Sequence, residues 1–283
     1  MNEIKVLNTK LATLNASEMR SLVKGYLLGG SKKQIGKVNT EFLLRVLKED
    51  EFCAVLNSCD VNIADGKGVL WAAKYLSLPL TKIPVLRQIQ VIWQMKYTGA
   101  SLVFYPKYCQ NPIPENIPGL DAMYLMLEAA DEAKVPVYFF GAEKEVLPKA
   151  IDKIKAKYPA LKVAGFHDGY SYKDREIIRE INESGAKLLI VALGSPKQEY
   201  WIRDNIDKLD SVRVAVGEGG SLDRVADPSR KAPKFMQKVS LEWLWRLFMN
   251  KNKSVNTGGR AKRVWKAVPV FIYNVVKFKL ENS

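Results

Sequence analysis

Between residues 135 and 216, short apolar runs alternate with segments whose apolar residues recur every three or four positions. Residues 135–140 form a short apolar run that stops at Gly141. Val146, Leu147, Ala150, Ile151 and Ile154 then fall on one helical face, and Pro159 closes that segment. Residues 161–166 read as the next strand. Ile177, Ile178 and Ile181 mark a second amphipathic helix, with Gly185 as its stop. Residues 188–193 and 212–216 complete a β-α-β-α-β-α-β series. Strands that alternate with helices of this length predict an α/β fold with a Rossmann-like, mostly parallel sheet and helices on both faces.

The first third follows the same logic less regularly. Residues 40–47 read as a helix with Phe42, Leu43 and Val46 on its apolar side. Val61–Ala64 is a short strand ending in Asp65-Gly66-Lys67-Gly68, and residues 69–76 read as a helix. Residues 81–115 fit the alternation poorly: 85–97 can be helical, while Pro106, Pro112 and Pro114 mark a loop. Toward the end, residues 240–249 place Leu241, Leu244, Trp245 and Phe248 on one side. Residues 264–280 mix aromatic and aliphatic side chains with lysines. That mixture suits a segment lying on an anionic membrane surface, and equally a C-terminal helix packed on the domain. Thr257-Gly258-Gly259 reads as a flexible break between the two.

Charge adds a division that periodicity does not show. From residue 229 onward thirteen Lys and Arg face only Glu242 and Glu281, so this tail holds +11 of the chain's +14. The expected organisation is an α/β catalytic domain over residues 1–228 and a basic, aromatic-rich helical appendage over 229–283. A cationic end on a near-neutral body calls for an anionic partner: a nucleic acid, an acidic membrane or a phosphorylated substrate. Three cysteines, Cys53, Cys59 and Cys109, are too few and too unevenly spaced for a disulfide framework. No run reaches the ~18 apolar residues that span a bilayer, and the first residues do not begin a signal peptide. A cytoplasmic location is expected.

Three strand ends carry ligand-type turns. Asp65, in Asp65-Gly66, can serve as a general base toward an incoming hydroxyl, although Asp-Gly is also an ordinary turn pair. Gly194-Ser195-Pro196 stops a buried strand and is followed at once by Lys197, Gln198 and Glu199. Gly217-Glu218-Gly219-Gly220 lets backbone amides approach a phosphate or sugar. Its spacing is not that of a dinucleotide fingerprint, and no Walker lysine follows. In open α/β folds ligands bind at the carboxyl ends of strands, and three such turns together point there. The chain has no Asp-x-Asp pair to clamp a divalent ion and a single histidine, His167, so neither a metal nor a cofactor is expected.

Taken in order, NTEF at 39–42, ADGKGVLWAAK at 64–74, GLD at 119–121, DGY at 168–170, LGSPKQEYW at 193–201 and VGEGGSLD at 216–223 resemble the WecG/TagA/CpsF glycosyltransferase family. SRKAP at 229–233 and LEWLWRL at 241–247 continue the resemblance, which covers about residues 35–250. It implies a hexosyltransferase at the cytoplasmic face of the membrane. Such an enzyme moves N-acetylmannosamine or its uronic acid from a UDP-sugar to N-acetylglucosamine on undecaprenyl diphosphate, with inversion and without a metal. Its products belong to surface polysaccharide or teichoic acid biosynthesis. By the resemblance Asp65 is the catalytic base, Gln198 lies in the sugar–nucleotide site and Asn39 lines the same pocket. Gly66, Gly194, Lys197, Glu199, Gly217, Gly219 and Gly220 belong to the same substrate-binding turns. The appendage closes the site with arginines that engage the diphosphate, Arg246 being the first. A homo-oligomer and a membrane-bound monomer both remain open on this reading.

Several positions depart from the family pattern. Lys37 stands where a Thr is common two places before the Asn, and Asn116 replaces an Arg before the Gly-x-Asp motif. Residues from roughly 82 to 115 read as extra sequence able to reshape the acceptor site. The second and third arginines fall near Lys253 and Asn256 by simple spacing, and Arg260 and Arg263 take their place if residues 257–259 are an insertion. The competing reading is a basic nucleic-acid-binding protein without catalysis. Against it, the ligand-type turns lie in the near-neutral body and not in the tail, so no nucleic-acid partner is expected.

Overall fold

A computed structural model describes residues 1–228 and 257–282, with side chains between 257 and 267 left out. Arg246 lies outside the described residues, as do the side chains of Arg260 and Arg263. Six strands pair in parallel: β3 (Lys33–Val38), β4 (Val61–Ala64), β5 (Val137–Gly141), β6 (Val163–His167), β7 (Leu188–Ala192) and β8 (Val214–Gly217), in the order β4-β3-β8-β7-β5-β6. An antiparallel hairpin, β1 (Glu3–Val6) and β2 (Thr9–Ala12), forms a separate two-stranded sheet.

Both faces of the large sheet are covered, as the unbroken apolar runs require. In β7, Leu188 and Ile190 point into one core and Leu189 and Val191 into the other. The first core is closed by α1 (Ala16–Leu28), α6 (Gly119–Glu132), α7 (Leu147–Lys157) and α10 (Ser221–Ala226). The second is closed by α8 (Asp174–Ser184) and α9 (Lys197–Asn205). Gly185 ends α8 at φ 68°, the left-handed conformation that glycine adopts without a Cβ clash.

A third core lies at the β4 edge. It joins α2 (Thr40–Arg45), α3 (Asp50–Ser58) and α4 (Lys67–Ser77) to the last described helix, α11 (Thr257–Glu281). Phe271 and Val275 of α11 are buried there, and the Phe271 ring lies 6.0 Å from that of Trp71. The segment that fits the alternation poorly contains one long helix, α5 (Pro84–Phe104), followed by a short 3-10 turn at Pro106–Cys109. Thr257-Gly258-Gly259 is the first turn of α11, not a break. The hairpin, α1, β3, α3 and α6 carry weaker periodic signals and escape a reading by pattern. In β3 the sequence KQIGKV has two lysines and a glutamine that hide a six-residue strand.

Candidate functional site

The sheet order puts the carboxyl ends of β4, β3, β8 and β7 side by side, and the register keeps them level. Val38 pairs with Ala64, Ile35 with Val216, and Val191 with Gly217. The residues after these strands, Asp65, Asn39, Glu218 and Gly194, therefore meet along one rim.

Asp65 is half-buried and tightly placed. Its N–H donates to Val38 O at 2.8 Å, and its Oδ1 accepts the Gly119 N–H at 3.1 Å. Gly119 opens α6, so the carboxylate rests on an N–H that has no partner within the helix. The next residue, Gly66, has φ 108° and ψ 146°, which a side chain would strain, and its N–H donates to Asn116 Oδ1 at 2.8 Å. A Cβ at Gly119 would sit 3.0 Å from Asp65 Oδ2 and 3.1 Å from Lys37 Nζ, so this glycine lets three backbone segments converge.

Lys37 reaches the same place from β3. Its Nζ is 2.5 Å from Glu218 Oε2 and donates to Gly119 O at 3.1 Å. Only 9% of the Lys37 side chain and none of the Glu218 side chain is exposed. Ser221 Oγ donates to the same Glu218 oxygen at 2.5 Å. Burial pushes the Glu218 carboxyl above the usual carboxylate range, with the Lys37 ammonium and the Ser221 hydroxyl pulling it back. Lys37, Glu218, Asn116 and Gly119 thus gather around Asp65, with Ser221 bonded to Glu218, and sequence reasoning left them off the list of site residues. Two signals pointed to them: the departures from the family pattern at Lys37 and Asn116, and an acid between glycines at Glu218.

The turn after β7 supplies a second group. Gln198 and Glu199 are buried in the first turn of α9, and Gln198 Nε2 donates to Glu199 Oε1 at 2.7 Å. The Gln198 amide lies against Gly217 and Gly219, where a Cβ would come within 2.5 Å of Nε2 and 3.0 Å of Oε1. Gly219 also packs on Gly194, whose φ of 79° turns the chain out of β7. These glycines therefore seat the amide and bring the β7 and β8 turns together. Burial raises the Glu199 carboxyl, opposed by hydrogen bonds from Gln198 and Ser195. Gln198 Oε1, Glu199 Oε2 and Glu218 Oε1 are buried acceptors with no donor among the described residues, and they cluster at these turns.

The remaining residues divide. Asn39 Oδ1 caps α2 by accepting the Phe42 N–H at 3.0 Å, which fixes it at the end of β3. Gly220 stands before α10 with open space where a Cβ would be. Lys197 is exposed, and its ammonium lies 4.9 Å from the centre of the Tyr172 ring, apart from the Asp65 group. His167 ends the opposite edge strand, where a depression of about 300 Å³ has formed with Tyr172 and Glu180. Its Nδ1 lies 2.7 Å from Asp168 O. All three cysteines are free, and burial pushes the Cys59 thiol up to about 12, which suits a packing residue.

The arrangement offers a fixed carboxylate beside a buried cation, on a rim of glycine turns and helix starts. Its sequence is similar to that of known transferases. An enzyme of Bacillus spizizenii, N-acetylglucosaminyldiphosphoundecaprenol N-acetyl-beta-D-mannosaminyltransferase, is 36% identical over 152 residues, 54% of this chain and 59% of that protein. For that relative the chain spans less than two thirds of the length. Proteins of the same name from Bacillus subtilis and Staphylococcus aureus are each 28% identical, over 76% and 68% of this chain and 71% and 73% of theirs. The profile of the glycosyl transferase WecG/TagA/CpsF family matches residues 4–97 and 89–283, essentially the whole chain. The chain belongs to the WecG/TagA/CpsF family of glycosyl transferases.

Proposed function

We propose that this glycosyltransferase moves an N-acetylhexosamine-type sugar, N-acetylmannosamine or its uronic acid, from UDP to an N-acetylglucosamine carried on a polyprenyl diphosphate. The acceptor class follows the names of these relatives. The observation that carries the chemistry is Asp65, pinned by the Gly119 N–H at the rim where four strand ends meet. Asp65 takes the proton of the acceptor hydroxyl as its oxygen bonds to the anomeric carbon. The bond from that carbon to the UDP oxygen breaks on the opposite face, which inverts the centre.

Negative charge then grows on the leaving diphosphate. Backbone N–H groups at the helix starts and the cations of the basic tail meet it, with no metal ion in the step. The buried carboxylate closest to this chemistry, Glu218, already has its charge balanced by Lys37. The reaction takes place on the cytoplasmic face of the membrane that holds the acceptor. No helix among the described residues is long and apolar enough to cross it.

The test is UDP release by the purified protein, with EDTA present, from a panel of UDP-sugars and a lipid-diphosphate N-acetylglucosamine acceptor. Acceptor-dependent release with one donor supports the reading and names the sugar. Release only after a divalent ion is restored would overturn the metal-free step. No release from any donor by folded protein would overturn the substrate assignment.

A further inference from the structure

Helix α5 is built inside out. Its buried positions are Val91, Gln94, Thr98 and Ser101, three of them polar. Its outward positions include Val85, Leu86, Ile89, Ile92, Trp93 and Phe104, each more than half exposed. The spacing gives one continuous apolar stripe along the helix, turned to solvent. Exposed apolar patches on soluble monomers seldom exceed a few hundred Å², and larger ones mark contact surfaces.

The inward side of α5 is held by hydrogen bonds together with Val91, Met95 and Leu102, of which Met95 and Leu102 pack on the third core. Trp71 Nε1 donates to Thr98 Oγ1 at 2.9 Å, and Lys279 Nζ, from α11, donates to Gln94 Oε1 at 2.7 Å. Arg87 Nη2 donates to Leu280 O at 2.7 Å, tying the first turn of α5 to the same C-terminal end of α11. Among the described residues nothing covers the apolar stripe.

We propose that this stripe seats the protein on an anionic phospholipid bilayer, with the α5 side chains entering the boundary between headgroups and acyl chains. Charge selects the occupant. Residues 66–114 contain no Asp or Glu, but they carry Lys67, Lys74, Lys82, Arg87, Lys96 and Lys107. Acidic headgroups attract such a segment by about 1 kcal/mol per cation near the surface. A second copy of the chain would bring the same cations face to face. Trp93 and Tyr97 stack at 5.1 Å on the stripe, and amphipathic rings of this kind favour the membrane interface.

The placement joins the surface to the site. Trp71 meets Thr98 and Tyr75 meets Val91, so α4 and α5 run antiparallel. The last turns of α5 therefore lie beside the first turns of α4, which begins two residues after Asp65. A bilayer under α5 holds Asp65 close to lipid-borne acceptors. The inference rests on the proposed reaction for its purpose alone, since vesicle binding is read without any sugar substrate.

The experiment is co-flotation of the full-length protein with vesicles of equimolar phosphatidylglycerol and phosphatidylcholine, against phosphatidylcholine alone. The expected result is binding to the anionic vesicles that falls at least tenfold in Ile89→Glu/Trp93→Glu. Ile89→Ser/Trp93→Ser, which adds no charge, should also lose binding, and both variants should keep the thermal midpoint of the parent. Transfer to a short-chain, water-soluble acceptor should be unchanged in both. Variants that float like the parent would overturn the proposal. So would a parent dimer, seen by sedimentation, that the variants break without changing flotation.

Discussion

At the scale of single residues, Lys37 decides how the rim carries charge. A lysine inside a sheet is costly to bury, and the cost is offset here by Glu218 at 2.5 Å and the Gly119 carbonyl at 3.1 Å. Lys37→Met alone would leave Glu218 as a buried, unpaired carboxylate. A loss of roughly 3–5 kcal/mol is expected in urea unfolding, with much of it recovered in Lys37→Met/Glu218→Gln. A double variant no more stable than the single would show that the pair does not act as a unit. Asp65→Asn keeps the oxygen that accepts the Gly119 N–H. It should preserve the thermal midpoint and donor binding while turnover falls ~10²-fold or more, the scale of general-base loss. Near-normal turnover would remove Asp65 from that role. Asp65, Gln198 and the glycine turns were legible because special residues at strand ends stand out against apolar runs. The pairing of Lys37 with Glu218 was not, since 181 positions of chain separate two residues that only the adjacency of β3 and β8 brings together.

At the scale of elements, periodicity served well where one face of a helix packs on the sheet and poorly where packing is unusual. The helix after β5 and the helix ended by Gly185 appear close to the expected bounds. Helix α5 contains the expected helical stretch 85–97, but its apolar stripe faces outward, so the usual link between apolar and buried is reversed. In α11 the inward positions include a lysine. Lys279 is 1% exposed, donates to Tyr75 O and Gln94 Oε1, and lies 4.3 Å from the Tyr75 ring centre. Burial lowers its pKa to about 8 from an ordinary value of 10.5. A depressed folded-state pKa means that the unfolded chain binds more protons between those values. The contribution of Lys279 to stability is therefore complete above pH 10.5 and is lost as pH falls through about 8. Scanning calorimetry at pH 7, 8, 9 and 10 should show Lys279→Met losing this rise relative to the parent. Parallel curves would assign the pH dependence elsewhere.

At the scale of the whole molecule, the C-terminal helix is part of the body's packing. Charge separates residues 229–283 from the rest of the chain, yet Phe271 and Val275 complete the core shared by α2 and α4. Gly68, in the first turn of α4, has Thr40 and Phe271 against it, so α2, α4 and α11 meet next to Asp65. Phe271→Ala should cost about 3–5 kcal/mol in equilibrium unfolding, as emptying a buried aromatic site does. A loss below 1 kcal/mol would mean that α11 docks too weakly to support the site. The sequence by itself determined the alternating α/β class, the parallel sheet and the motif turns, because strand runs and turn residues are local signals with fixed periods. It also determined the family, through the order of those motifs. Only the tertiary structure decided the strand order that lines up four ends, the Lys37–Glu218 pair beside Asp65, and the outward face of α5. Each of these depends on which distant segments become neighbours, and no periodicity along the chain encodes that.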